Sequence, residues 1–253
     1  MPPTKAFLEK TYKEFNKPEF IHPDPLEFVW RYKKSRDREI AGLIAACLAY
    51  GKVTQILASV QKVLGPMGGS PGAWLTSADR TKLRNTFAAF RHRFTGGGEM
   101  CIFLLNIKHA LEKYGSLEKL FLIGYDPGEP TVETALYKFV NAFNSLGCAP
   151  SLTPCPEHKS SFKRVNLYLR WMVRNDAVDP GVWSGIPPAK LIIPLDTHMR
   201  QVSIGMGITK RKDTSMRTAA EITSFFRTIA PRDPVKYDFA LTRAGIRGNN
   251  VKI

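Results

Sequence analysis

Between Ile40 and Leu48, bulky apolar residues recur at 40, 43, 44, 47 and 48, the spacing of one helical face. Ala41, Ala45, Ala46 and Ala49 fill the other positions. A helix that is apolar or small on nearly every side cannot lie on a surface, so other elements must surround it. Asp37-Arg38-Glu39 reads as its start and Gly51 as its end or bend. The remaining chain supplies the surrounding elements, and most of them are helical. Val53 to Leu64 forms a helix stopped by Gly65-Pro66, and Gly68 to Pro71 is a loop. Asp79 caps a helix running to about Phe90. Met100 to Tyr114 forms another, closed by Gly115. Ser116 is placed to cap the next helix, although Lys119 stands where a capping box needs Glu or Gln. Thr131 to Phe143 is helical, and Gly147 to Ser161, rich in Pro and Ser, is a loop. No strand ladder and no internal repeat stands out. The expected class is all-α.

Composition narrows the function. Lys and Arg number 37 against 22 Asp and Glu, a formal net charge of +15 on a chain of 253 residues. Such a surplus points to a polyanionic partner, nucleic acid before an anionic membrane. Met1 to Phe15 mixes Lys with Glu and has no apolar segment of the secretory kind. The longest apolar run, Ile40 to Tyr50, falls short of the roughly 18 residues that a membrane span needs. A cytoplasmic, membrane-free protein is expected. Cys47, Cys101, Cys148 and Cys155 form no C-x-x-C pair, and the five histidines form no metal-binding arrangement, so neither a metal nor another cofactor is expected. The run Gly96-Gly97-Gly98 reads as a flexible turn.

The stretch from Phe162 to Gly207 carries the chemistry. On a helical wheel of roughly 100° per residue, Val165, Tyr168, Leu169 and Met172 share one side. Lys163, Asn166, Arg170 and Arg174 share the opposite side, with no acidic residue among them to relieve the repulsion. Trp171 lies at the boundary, where an aromatic can stack on a base. Turn residues follow: Asp176, Asp179-Pro180-Gly181 and Pro187-Pro188. Then comes the apolar run Leu191-Ile192-Ile193-Pro194-Leu195. Asp196 follows it at an N-cap position, ahead of Met199, Val202, Ser203 and Met206 at helical spacing.

The segment Phe162-Lys163-Arg164-Val165-Asn166, followed by Pro194-Leu195-Asp196-Thr197-His198-Met199-Arg200, resembles the core of the helix-hairpin-helix DNA glycosylases, the endonuclease III superfamily. Asp37 to Val53 is similar to that superfamily's early buried helix. Ala219 to Gly245, with Ile229-Ala230-Pro231 and Tyr237-Asp238-Phe239-Ala240-Leu241, is similar to its closing helices. The wording of Arg170 to Arg174 and of Asp233 to Asp238 looks closer still to an uncharacterised prokaryotic family within or near the superfamily. The resemblance implies a two-lobed helical bundle with a cleft between the lobes. One lobe would hold residues 1–50 with 164–253, and the central lobe residues 51–163.

It also implies roles. Lys163 would be the amine nucleophile and Asp196 the catalytic carboxylate of an N-glycosidic cleavage, with Schiff-base lyase activity as a further step. A carboxylate at a helix N-terminus is held ionised by the dipole, and a lysine in a first turn loses its proton more readily. Arg164, Arg170, Arg174, His198 and Arg200 would meet the phosphates. Tyr50 and Trp171 would line the base pocket. The partner would be double-stranded DNA with a damaged base, met by a monomer.

The superfamily's hairpin carries a Leu-Pro-Gly-x-Gly turn. Here that place holds Cys155-Pro156-Glu157-His158-Lys159-Ser160-Ser161, without glycine, so the hairpin is expected to be degenerate, with Ser160 and Ser161 as substitute phosphate contacts. The interval from Lys163 to Asp196 exceeds the family norm, which implies an insertion before Leu191. The family arginine falls on Gln201, one place beyond Arg200. No cysteine follows Cys155, so the four-cysteine iron–sulfur loop of many relatives is lacking. A scaffold that binds nucleic acid without chemistry is the alternative.

Overall fold

The computed structural model describes residues 2–154 and 161–246. Among these, thirteen α-helices and one two-stranded hairpin are found, so the class is all-α. In chain order the helices are α1 (Lys5–Phe15), α2 (Glu27–Trp30), α3 (Ser35–Cys47), α4 (Val53–Leu64), α5 (Pro71–Ser77) and α6 (Arg80–Phe87). The hairpin pairs β1 (Arg91–His92) with β2 (Thr95–Gly96). There follow α7 (Gly97–Tyr114), α8 (Leu117–Gly124), α9 (Glu133–Phe143), α10 (Lys163–Val173), α11 (Thr197–Gly205), α12 (Met216–Ile229) and α13 (Asp238–Ile246). No helix among the described residues is long and apolar enough to cross a membrane.

The chain forms two compact units. One comprises Met1–Ile21, Pro130–Val132 and Lys159–Ile253; the other comprises His22–Glu129 and Glu133–His158. The sequence-based division kept residues 1–50 together, whereas the structure changes units between Ile21 and His22. The reason lies in α3. Residues 39 to 48 of this segment are all buried, and its two leading acids each serve another helix of the same unit. A carboxylate oxygen of Asp37 accepts from the Gly72 amide at 2.8 Å, in the first turn of α5. Glu39 accepts from the Glu118 amide at 3.0 Å, in the first turn of α8. Helix N-termini present orphan N–H groups and a positive dipole end, so carboxylates reaching them stabilise three elements at once.

Several local signals act as their chemistry dictates. Asp79 caps α6 through the Lys82 amide at 2.7 Å, and Ser116 caps α8 through the Lys119 amide at 3.0 Å. Gly115 closes α7 with φ of 87°. Other signals were outweighed. The glycine run at 96–98 is not a loose turn. Gly96 ends β2 and Gly97 opens α7, where a Cβ would stand 2.1 Å from the Phe87 carbonyl oxygen. Ser70 and Pro71, read as loop, form the N-cap and first residue of α5. The hairpin escaped detection because each strand is two residues long, too short for an alternating pattern.

In the unit that holds α10, the core gathers on that helix. Val165, Tyr168, Leu169, Trp171 and Met172 are fully buried. The turn-rich segment after α10 runs back along it: the Gly181 amide donates to the Trp171 carbonyl at 3.1 Å and the Trp183 amide to the Met172 carbonyl at 2.8 Å. These bonds satisfy carbonyls that the helix end would otherwise orphan. The Trp183 ring lies edge-on to Tyr168 at 5.3 Å. Helix α13 closes the unit, with Ala240 and Ala244 packed on Phe15 of α1.

Candidate active site: a lysine–aspartate pair backed by a buried ionic network

Two helix starts bring Lys163 and Asp196 together. Lys163 is the first residue of α10. Asp196 is the N-cap of α11, and its Oδ1 accepts the Met199 amide at 2.8 Å. That bond fixes the carboxylate, and its other oxygen, Oδ2, stands 3.9 Å from Lys163 Nζ. The separation is that of an ion pair and too long for a hydrogen bond. Both side chains reach solvent, Lys163 at 24% and Asp196 at 44% exposure. The residue ahead of Lys163 is strained: Phe162 is buried, yet its backbone is left-handed, with φ of 50°. A bulky residue rarely adopts this region, and only a surrounding structure that over-determines it can hold it there.

Behind the pair lies a network that the wheel did not reveal. Arg170 is 4% exposed and bonds Asp238 at 2.5 Å and Asp179 at 3.2 Å. Arg174, equally buried, pairs with Asp179, with Asp176 at 2.7 Å and with Asp233 at 2.9 Å. Tyr12 of α1 donates to Asp176 at 2.9 Å. The amides of Val178 and Asp179 also donate to Asp176, each at 2.8 Å. Two guanidiniums thus meet four carboxylates, and each buried charge is paired, as burial requires.

The energetics follow from the same geometry. Burial pushes the carboxyls of Asp179 and Asp238 upward against the pull of the guanidiniums. Asp238 also feels Asp196, which raises it further, and Lys163, which lowers it, so the inner network and the outer pair are electrically coupled. Burial works to raise Asp176 too, but Arg174 and the two amides outweigh it and the carboxyl ends below its ordinary value. Burial alone would lower Arg174; Asp179, Asp233 and Asp176 reverse this and raise it.

The structure therefore corrects much of the expected phosphate-binding surface. Arg170 and Arg174 are buried and held by aspartates, so they cannot reach a phosphate. Trp171 is fully buried, with an indole N–H that has no partner among the described residues, and cannot stack on a base. The His198 ring lies under α13, where a Cβ on Gly245 would come within 2.7 Å of its Nε2. Arg200 folds back to donate to the Lys212 carbonyl at 2.5 Å. Ser161 is buried, and its carbonyl accepts from the Asn166 amide group at 3.0 Å. Ser160 and the expected hairpin at 155–160 lie outside the described residues. Arg164 remains half-exposed beside Lys163. Tyr50 belongs to the other unit, where its hydroxyl bonds the His92 carbonyl at 3.1 Å and Thr95 Oγ1 at 2.5 Å.

The residues missed by sequence reading are Asp179, Asp238, Asp233 and Tyr12. Asp179 carried only a turn signal, although its partners Arg170 and Arg174 are 9 and 5 positions away, whereas Asp233 and Asp238 lie 59 and 68 positions from theirs. The shared signal was present nonetheless, in two arginines on a helix stripe without a local acid.

A family model described as "Protein of unknown function (DUF2400)" matches residues 24–247. The chain belongs to this family. No curated protein and no solved structure matches it. The DUF2400 match takes in Lys163, Asp196 and all four network aspartates, whereas α1, which contributes Tyr12, precedes it.

Proposed function

We propose that this DUF2400 protein is a DNA repair glycosylase-like enzyme that cleaves the N-glycosidic bond of a damaged base, with Lys163 as nucleophile and Asp196 as the supporting carboxylate. The observation that carries the reading is the 3.9 Å approach of Lys163 Nζ to Asp196 Oδ2 from two helix N-termini. The net charge of +15 supports a nucleic-acid partner. The resemblance of both segments to the helix-hairpin-helix glycosylases supports the choice of reaction.

The chemistry assigned to each group is specific. A neutral Lys163 amine forms a bond to the sugar C1′ while the C1′–N bond breaks. The base leaves with that bond's electron pair and is protonated. Opening of the sugar ring yields a Schiff base, from which loss of a C2′ proton expels the 3′ phosphate. Asp196 stabilises the positive charge that develops on the sugar and takes the proton from the attacking amine. Because Oδ1 is tied to the Met199 amide, Oδ2 is the oxygen presented for this work.

A second reading, a nucleic-acid scaffold without chemistry, is favoured by one observation: the Asp196 capping bond is by itself a sufficient structural reason for that aspartate. A panel of duplexes, each carrying one damaged base, separates the two. Base release by the wild type, abolished by Lys163→Ala and Asp196→Asn at unchanged stability, supports the enzyme. Salt-dependent binding of the same duplexes with no base release on any of them supports the scaffold.

A further inference from the structure

The β1–β2 hairpin ends in a two-residue tip, Arg93-Phe94. Phe94 is 76% exposed, the most exposed large apolar side chain among the described residues. A single exposed aromatic is ordinarily unremarkable on a protein surface; the base of this one is not ordinary. The residues on either side of the tip, His92 and Thr95, are both buried. The Ser59 hydroxyl bonds His92 Nδ1 at 2.8 Å, and His92 Nε2 bonds the Tyr50 carbonyl at 3.0 Å. Tyr50 in turn holds the His92 carbonyl and the Thr95 hydroxyl. Thr95 continues to Ser151 at 2.6 Å, and Ser151 to Glu99 at 2.7 Å. The tip therefore stands on a fully bonded polar platform, and its orientation is set before any partner arrives.

The tip residues oppose the local turn chemistry. Two-residue hairpin turns favour Asn and Gly, because they require positive φ. Here Arg93 takes φ of 50°. Its side chain lies across Gly51, where a Cβ would meet Arg93 Cδ at 2.8 Å, and its guanidinium sits 5.3 Å from the centroid of the Phe94 ring. Arg91 and Lys52 are exposed nearby in sequence to the tip and to Gly51.

From this arrangement we infer that Arg93 and Phe94 form a stacking finger for nucleic acid with an unpaired base. The ring offers a flat apolar face to a base, which is sequence-tolerant because every base has a π-face. Arg91 and Arg93 offer cations to the adjoining phosphates. An apolar protein partner would have no need of the Arg93 guanidinium beside the ring or of the exposed Arg91 next in the strand, and the overall positive charge selects a polyanion. Tyr50, expected to touch the base, instead buttresses the finger. The inference rests on the proposed function only for nucleic acid as the partner class; it uses neither Lys163 nor Asp196.

The test is titration of the full chain with two labelled duplexes of one sequence, one fully paired and one bearing a single unpaired 2-aminopurine. Phe94→Ala is expected to weaken binding of the unpaired-base duplex about 10-fold and to leave the paired duplex within about two-fold. Phe94→Trp is expected to restore the preference, with the 2-aminopurine quenched on binding. Equal affinity of wild type and Phe94→Ala for the unpaired-base duplex, at unchanged melting temperature, overturns the inference. If that result accompanies base release dependent on Lys163, only the finger is refuted. If the Phe94 effect appears without any base release, only the glycosylase chemistry is refuted. Failure of the wild type to bind either duplex refutes both.

Discussion

The two ends of α10 carry the same kind of residue on the same stripe and meet opposite fates. At the N-terminal end, Lys163 and Arg164 reach solvent, and Lys163 faces the Asp196 carboxylate at 3.9 Å. Two to three turns later, Arg170 and Arg174 are buried among Asp176, Asp179, Asp233 and Asp238. The difference teaches that a cationic stripe is not in itself a binding face. Where long-range acids converge on it, the cations are structural, and only the end they leave uncovered is available for chemistry. Asp238 links the regions, since it is bonded to Arg170 and feels both Lys163 and Asp196.

The comparison breaks most sharply at Asp179, the carboxylate shared by both arginines. Asp179→Ala leaves two buried guanidiniums short of a partner and is expected to cost about 3–5 kcal/mol, measured by chemical denaturation. A loss below about 1 kcal/mol would mean that the inner end is not held as described. Next comes the loop that presents Asp179. Gly181 has φ of 51°, and a Cβ there would stand 2.4 Å from the Asn175 Cβ and 2.7 Å from the Arg174 carbonyl oxygen. Gly181→Ala should cost about 2 kcal/mol or more, with the same readout.

Asp176 gives the pH dependence. Its folded carboxyl lies below its ordinary value of 3.8, so its contribution is present at neutral pH and is lost as pH falls through that range. Asp176→Asn is expected to be less stable than the wild type by about 1–2 kcal/mol at pH 7, with the gap closing towards pH 3. Removing the Asp176 charge also relieves one of the causes that raise Asp179, so the gap reports Asp176 together with its effect on that neighbour. A gap that stays constant with pH would exclude the ionic role.

The outer end should respond in activity and not in stability. Lys163→Ala is expected to stay within about 1 kcal/mol of the wild type, because its ion pair is long and partly solvated. Smallest of all is Arg164→Ala, expected to leave stability within about 0.5 kcal/mol. It should reduce the salt slope of DNA binding by about one. A fall in melting temperature as large as that of Asp179→Ala would erase the distinction between the two ends.

Helix identities were largely legible in the sequence, because periodicity and caps are local. Asp79, Ser116 and Asp196 all cap as their spacing implies. The Lys163–Asp196 pair was legible through its resemblance to a known pair of motifs. The fate of Arg170 and Arg174 was not, because Asp233 and Asp238 reach them across some 60 residues of chain and Asp179 looked like turn punctuation. A wheel sorts residues by direction, and it cannot say whether that direction leads to water or to another element. The hairpin tip escaped for a different reason: its strands are too short to alternate, and its Arg-Phe turn contradicts the residues such turns prefer.

Borohydride trapping with residue mapping tests the central claim most directly. The full chain would be incubated with a duplex carrying one damaged base, reduced, digested and sequenced by mass. A covalent sugar adduct on Lys163, absent in Lys163→Ala and strongly diminished in Asp196→Asn, is the expected result. An adduct mapped to a different lysine, or none across a broad panel of lesions that the protein binds, would contradict it.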